Sequence, residues 1–361
     1  MHELEAWGFD SFFSQQLQRR DERLLVGRVR RAHRERYELV SAVGSYPATL
    51  SGRFRQEGRE WPAVGDWVLF RRPTSSTASG VDQHTECVAI QSLLERRNAL
   101  SRGAAGRVAE AQVIAANVDK VFVLCGLDAD FNIRRIERYL SRIAASEAEG
   151  VVVLSKRDLC AEPLAKQVQV QRRCPDAEVI TYSAVEEDGL DELLELLVPT
   201  QTVALVGSSG AGKSTLVNRL LGEARMRTQA LRDDKGVHTT THKELLMLPN
   251  GSILVDTPGM RELALLDDEG LSAVFSDIES LAVQCRFTDC QHIDEPGCAV
   301  LAAVEDGELD AERLEHYQKL IREAQAYALR HDEHRRRQAE RVWGQLSDEV
   351  AMLRRWKGGK A

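Results

Sequence analysis

The chain has 361 residues, enough for two or three domains that each bury a core. Hydrophobic content of 43% and charged content of 29% describe a globular protein, and no stretch approaches the roughly eighteen apolar residues of a membrane span. The formal charge of −8 gives no global attraction for nucleic acid, and the acidic N-terminus "MHELEAWGFDSFF" lacks the basic and apolar regions of a secretion signal, so a cytoplasmic protein is expected.

Residues 1–23 form an N-terminal extension. From Arg19 to Arg36 there are eight arginines against three acids, a local basic run suited to phosphate contacts. Residues 24–98 then read as five short β segments: "LLVGRVRRA", "RYELVSA", "YPATLSGRF", "GDWVLFRR" and "CVAIQSLL". Turn-forming Gly and Pro separate them. Five strands in about 75 residues suit a small barrel of the OB type, and an SH3-like barrel fits the same periodicity. From residue 99 to 270 the pattern becomes α/β. The apolar runs "KVFVLC", "GVVVLS", "EVITYS", "TVALVG" and "SILVDT" alternate with the helical spacing of "RRIERYLSRIAASEA", "LDELLELLV" and "GKSTLVNRLLG". Such alternation predicts a mostly parallel sheet covered on both faces. Residues 271–330 carry a cysteine cluster and a helix near 308–330. A charged tail follows, 331–361; from Arg330 onward nine Lys/Arg face five acids.

Gly207–Ser214 in "GSSGAGKST" matches G-x-x-x-x-G-K-[ST], after an apolar strand and before a helix. Glycines let the backbone N–H groups of Gly207, Ser208, Ser209, Gly210, Ala211 and Gly212 wrap phosphate, and the helix N-terminus adds positive partial charge. Lys213 is expected at the β- and γ-phosphates, Ser214 on Mg²⁺, and Thr215 beside it. Asp256, ending the strand of "SILVDTPG", is the second carboxylate near the magnesium, and Gly259 offers an N–H to the γ-phosphate. The polar loop "GVHTTTH" supplies a hydroxyl for the magnesium shell, Thr240 first and Thr241 second.

The base is read earlier in the chain. "VVVLSKRDL" places Ser155, Lys156, Arg157 and Asp158 after a strand, like the [NT]-K-x-D loop of GTPases. Asp158 can accept from guanine N1–H and its 2-amino group, whereas adenine leaves it unpaired. Lys156 lies over the ring. Ser155 stands where the usual loop has Asn, and the lost amide removes a brace between loops. Ser183 and Ala184 in "YSA" resemble the loop whose N–H meets guanine O6.

An ordinary GTPase runs phosphate loop, switch threonine, D-x-x-G, base-reading Asp, then the S-A loop. Here the base loops come first, which is a circular permutation of the same sites. Both switch regions thereby move to the C-terminal end of the domain.

Three of the seven cysteines cluster in "CRFTDCQHIDEPGCAV". Cys285, Cys290, His292 and Cys298 form a full tetrahedral set for one structural Zn²⁺, with no open position for catalysis.

"AANVDKVFVL", the permuted order, "GSSGAGKST", "GVHTTTH", "DTPGM" and the cysteine cluster together resemble the RsgA (YjeQ-like) family of ribosome small subunit-dependent GTPases, over about residues 24–330. The resemblance implies an N-terminal OB-fold, a permuted GTPase domain and a C-terminal zinc-binding domain. It also implies that the small ribosomal subunit and its rRNA are the partners, that the subunit stimulates GTP hydrolysis, and that the protein serves late maturation of that subunit. A monomer is expected. Met260 follows D-T-P-G where many GTPases carry a water-orienting Gln, and a thioether cannot orient water. His238 in the threonine loop is the local candidate for that role, with Lys213 and Thr240 completing the catalytic set. Competing readings are a nucleotide-gated RNA-binding protein and an ATP-dependent kinase, the latter disfavoured by "SKRD".

Overall fold

A computed structural model describes residues 2–17, 21, 23–56, 60–71, 87–103, 111–186, 188–222, 243–256 and 269–329. The expectations at His238, Thr240, Thr241, Gly259 and Met260, and those for the tail from 331, lie outside the described residues.

Helices α1 (His2–Glu5) and α2 (Ser11–Gln15) open the chain, and the Asp10 carboxylate caps α2 by accepting from the Phe12 N–H at 3.0 Å. Leu4, Phe9 and Phe13 form one buried cluster with Val26, Trp67, Leu69 and Leu94. The N-terminal extension is therefore packed against the barrel, which its composition did not foretell.

The barrel consists of β1 (Leu24–His33), β2 (Arg36–Ser41), β3 (Gly44–Leu50), α3 (Gly52–Gln56), β4 (Trp67–Arg71) and β5 (Val88–Leu93). Pairing runs β1-β2-β3-β5-β4 and returns to β1, with β3 and β5 parallel. This is the OB arrangement, so the SH3-like alternative falls. Alternating burial along β2 shows one face on the core and one toward solvent. The third expected strand ran to Phe54, but strand pairing stops at Leu50. The Ser51 hydroxyl instead accepts from the Phe54 N–H at 3.2 Å and opens α3, whose Phe54 ring plugs the barrel core.

Strands β6 (Ala99–Gly103) and β7 (Ala111–Ala116) pair as a separate two-stranded sheet. Then come β8 (Lys120–Gly126), α4 (Ile133–Ala144), β9 (Glu149–Ser155), α5 (Pro163–Arg173), β10 (Glu178–Tyr182) and α6 (Leu190–Glu195). The domain continues with β11 (Thr202–Gly207), α7 (Lys213–Leu221), β12 (Lys243–Met247), β13 (Ile253–Asp256) and α8 (Glu269–Val274). Sheet order is β10-β9-β8-β11-β13-β12, parallel throughout except for β12. Strands β8, β9 and β11 are buried over nearly their whole length because helices cover both faces, which is why they read as unbroken apolar runs. Order and direction are those of a P-loop GTPase sheet whose chain has been opened elsewhere.

Barrel and sheet are continuous. β1 pairs antiparallel with β12 at Arg31↔Glu244, and Arg31 Nε meets the Glu244 carboxylate at 2.5 Å. Arg28, 1% exposed, completes the joint from inside.

A second compact unit is built on α9 (Ser276–Ala282), α10 (Ala299–Glu305) and a helix α11 over residues 311–329. Arg313 forks onto Asp277 at 2.6 and 2.8 Å, and the Tyr317 hydroxyl donates to Glu279 at 2.7 Å, tying α11 to α9. Among the described residues no helix is long and apolar enough to cross a membrane.

Candidate nucleotide site and metal centre

Strands β8, β9, β10 and β11 run parallel, so the loops after them emerge along one sheet edge, where open α/β sheets bind ligands. β11 and β8 are neighbours, as are β8 and β9 and then β9 and β10. The loops expected to hold phosphate and to read the base therefore arrive together, although Asp158 and Gly207 lie 49 positions apart in sequence.

The phosphate loop is made by three glycines with positive φ: Gly207 (142°), Gly210 (86°) and Gly212 (89°). A Cβ on Gly207 would come 2.3 Å from the Leu124 carbonyl oxygen, so backbone freedom and space are both required there. Ala211 is buried beneath the loop, while Ser209 and Gly210 are exposed. Lys213 and Ser214 open α7, with Thr215 behind them. The Lys213 ammonium donates to the carbonyls of Gly207 and Ser208 at 2.7 and 2.5 Å, which holds its charge against the loop.

The two base loops meet directly. The Ser183 hydroxyl donates to Asp158 Oδ1 at 2.7 Å, while the Val185 and Glu186 N–H groups donate to that same hydroxyl oxygen. Ser183 is fully buried, and this pair fixes the Asp158 carboxylate with one oxygen engaged. Arg157 pairs with Asp188, and the Ala184 carbonyl accepts from Arg219 at 3.1 Å. Lys156 has left-handed backbone (φ 60°), and its ammonium sits 2.6 Å from Asp128 Oδ2.

Ser155 corrects one expectation. Its hydroxyl donates to the Ala211 carbonyl at 2.7 Å, a buried bond from the base loop straight to the phosphate loop. The brace expected to vanish with the missing amide is supplied by the shorter side chain, which reaches the phosphate-loop backbone at Ala211.

Asp256 ends β13 opposite Glu244 in the antiparallel register, so its backbone lies one strand away from the phosphate loop. Two residues that sequence reasoning passed over, Asp128 and Asp130, follow β8 between the base and phosphate loops. Their signal was available: two acids directly after an apolar parallel strand.

In the second unit, the ligand atoms of Cys285, Cys290, His292 and Cys298 all lie within 4.8 Å of one another. Cys285 Sγ is 3.8 Å from Cys298 Sγ, and His292 Nδ1 is 3.7 and 3.3 Å from these sulfurs. A tetrahedron with Zn–S bonds near 2.3 Å has S···S edges of about 3.8 Å. The donor set and its spacing thus fit zinc. Burial keeps the His292 imidazole below its ordinary pKa and so in the neutral form that ligates. Two neighbours orient the ligands: the Leu301 N–H donates to Cys298 Sγ at 3.4 Å, and Gln318 holds the His292 carbonyl at 2.6 Å.

Glu295 shapes the turn that carries His292 in left-handed conformation (φ 59°). Its carboxylate accepts from the N–H groups of Gln291 at 2.9 Å and Ile293 at 2.8 Å, and these bonds pull its pKa down to about 2. A depressed carboxyl adds stability that is complete above its ordinary value and is lost as pH falls through the folded value. Glu295→Ala should therefore loosen the turn at neutral pH and weaken metal binding about 10–100-fold. Competition with a chromophoric chelator measures this, and wild-type affinity in the variant would remove Glu295 from the centre.

The RsgA GTPase family model matches residues 93–266, and a model described as a 50S ribosome-binding GTPase matches residues 202–346, starting at β11. The chain is 48% identical over 336 residues to a small ribosomal subunit biogenesis GTPase RsgA of Opitutus terrae, covering 91% of each chain. Among solved structures it resembles YjeQ from Thermotoga maritima (TM-score 0.61, 28% identity), covering 83% of this chain and 98% of that one. YloQ, a circularly permuted GTPase, shares the fold (TM-score 0.58, 23% identity), covering 85% of this chain and 98% of that one.

Proposed function

Since the chain belongs to the RsgA GTPase family and is a GTP hydrolase, we propose that it acts in late maturation of the small ribosomal subunit, with that subunit stimulating its turnover. The observation that carries this reading is the meeting of Asp158 and Ser183 beside a Gly-rich phosphate loop, a purine-reading pair coupled to a phosphate site. The relative from Opitutus terrae named for the small subunit aligns over 91% of the chain. The 50S description covers the segment from β11 onward and leaves out the barrel and residues 155–184.

In this reading Asp158 accepts from guanine N1–H and its 2-amino group, the Ala184 backbone N–H meets O6, and Lys156 covers the ring. Gly207–Thr215 cradle the phosphates. Ser214, Thr240 and Asp256 would hold the magnesium, which supplies charge neutralisation on the β- and γ-oxygens. Lys213 shares that task, and Gly259 donates to the γ-phosphate. His238 orients the water that attacks the γ-phosphorus, releasing phosphate and GDP. Met260 contributes no group to that step, so the isolated protein is slow and waits for its partner. Cys285, Cys290, His292 and Cys298 hold one structural zinc. The divisions at 24–98, 99–270 and 271–330 serve as OB, permuted GTPase and zinc-binding domains. Of the basic run at Arg19–Arg36, the exposed Arg23, Arg34 and Arg36 suit rRNA phosphate, whereas Arg28 is buried and Arg30 and Arg31 are paired with Glu38 and Glu244; a cytoplasmic monomer fits the partner.

Turnover of GTP with and without purified small subunits tests the proposal; equal rates would sink it. His238→Ala should leave nucleotide affinity and basal rate near wild type while lowering the stimulated rate about 10²-fold. Full stimulated turnover in that variant would make the histidine a bystander.

A further inference from the structure

The loop 127–131, "LDADF", ties the base loop to the phosphate loop. It leaves β8, whose two sheet neighbours are β9, ending in Ser155, and β11, ending in Gly207. Its backbone is stitched to the base loop, since the Leu127 N–H donates to the Ser155 carbonyl at 2.8 Å. Asp128 turns the chain: its Oδ1 accepts from the Asp130 N–H at 3.0 Å, leaving Oδ2 for the Lys156 ammonium at 2.6 Å. Asp130 then accepts a hydrogen bond from the Ser208 hydroxyl in the phosphate loop and pairs with Arg135 at 2.7 Å.

Space and backbone agree with this arrangement. Lys156 adopts left-handed backbone, and its stem passes over Gly126: a Cβ there would lie 3.5 Å from Lys156 Cδ and 2.6 Å from Asp128 Oδ1. The hydrogen bond from Lys156 keeps the Asp128 carboxyl below its ordinary range, so the pair is ionic at neutral pH. A lysine stem is flexible, and fixing its far end with a charge removes most of its rotamer freedom before a ligand arrives.

We propose that Asp128 is a positioning residue for the purine: by anchoring the Lys156 ammonium it holds the methylene stem as a preformed lid over the base. This rests on the reading of Lys156 and Asp158 as the base-binding pair. Stem-on-ring packing does not distinguish one purine from another, so Asp128 controls affinity and Asp158 controls choice of base.

The test is a double-mutant cycle on the full chain with fluorescent GDP, repeated with the inosine analogue. Asp128→Ala should weaken both nucleotides about tenfold, with the guanine-to-inosine ratio unchanged, and the same substitution in a Lys156→Ala background should cost nothing further. Asp128→Asn, which keeps the side-chain shape and loses the charge, should fall between wild type and Asp128→Ala, and it covers the case in which the alanine variant fails to fold. An equal loss in both backgrounds would mean that Asp128 is only a loop brace, and undiminished affinity in the wild-type background would also overturn the proposal. Failure of the base reading shows separately, as an Asp158→Asn variant with unaltered base preference.

Discussion

Asp158→Asn should lose GTP and gain the xanthine nucleotide. The carboxylate has one oxygen occupied by the Ser183 hydroxyl at 2.7 Å, and that hydroxyl has its direction set by two backbone N–H groups donating to its oxygen. An asparagine in this place must present its carbonyl oxygen to the Ser183 proton, which aims the NH₂ at the base. Guanine then faces donor with donor at its 2-amino group, whereas the 2-oxo group of xanthine finds a partner. Charge-assisted hydrogen bonds contribute about 1.5–3 kcal/mol each, so losing two of them lowers GTP affinity by two orders of magnitude or more. Competition among GTP, XTP and ATP on the purified variant reads the switch. Retained preference for GTP over both would show that another loop reads the base.

The parts of this site differ in how plainly they are written in the chain. Glycines of the phosphate loop sit within six residues of one another, and their chemistry is local, so the motif and the structure agree. Strands β8, β9 and β11 were legible because burial on both faces demands unbroken apolar residues. β12, "KELLM", was not: it is short, carries a charge at each of its first two positions, and owes its place to pairing with β1 and β13. α5 was also passed over, although Pro163 in its first turn is an ordinary start signal. The Ser155 brace could not be read, since its partner Ala211 lies 56 positions away and only the fold brings the two together. Asp128 and Asp130 were visible as residues, but their partners lie 28 and 78 positions away, and only the sheet order brings them together. The candidate metal centre lies at the other extreme: its four potential ligands fall within fourteen residues, from Cys285 to Cys298, and residue types alone pointed to zinc.

Arg28 is the least legible residue of all and the one whose loss should cost the fold most. In sequence it belongs to a basic run suited to solvent or phosphate. In the structure its side chain is buried and its guanidinium lies 5.5 Å from the centre of the Trp67 ring. Its donors reach four separate segments: the carbonyls of Trp7, Gly65 and Asn117, and the Thr202 hydroxyl at 2.8 Å. Those segments belong to the N-terminal extension, the barrel, the connection into β8 and the start of β11. Burial lowers its pKa to about 10, so it stays charged at neutral pH, with Asp119 and Asp66 supplying the compensating field. Arg28→Ala would take a donor from the Trp7 and Asn117 carbonyls and the Thr202 hydroxyl inside the joint, while the Gly65 carbonyl keeps the Asn117 amide, a loss of about 3–5 kcal/mol. Arg28→Lys keeps the charge but has no fork to span four acceptors, and should recover less than half of that. Because the arginine links barrel to sheet, the alanine variant should melt about 10 °C lower, with the barrel separating from the GTPase sheet as an earlier step in calorimetry. A single transition at the wild-type temperature would show that β1–β12 pairing alone holds the two together.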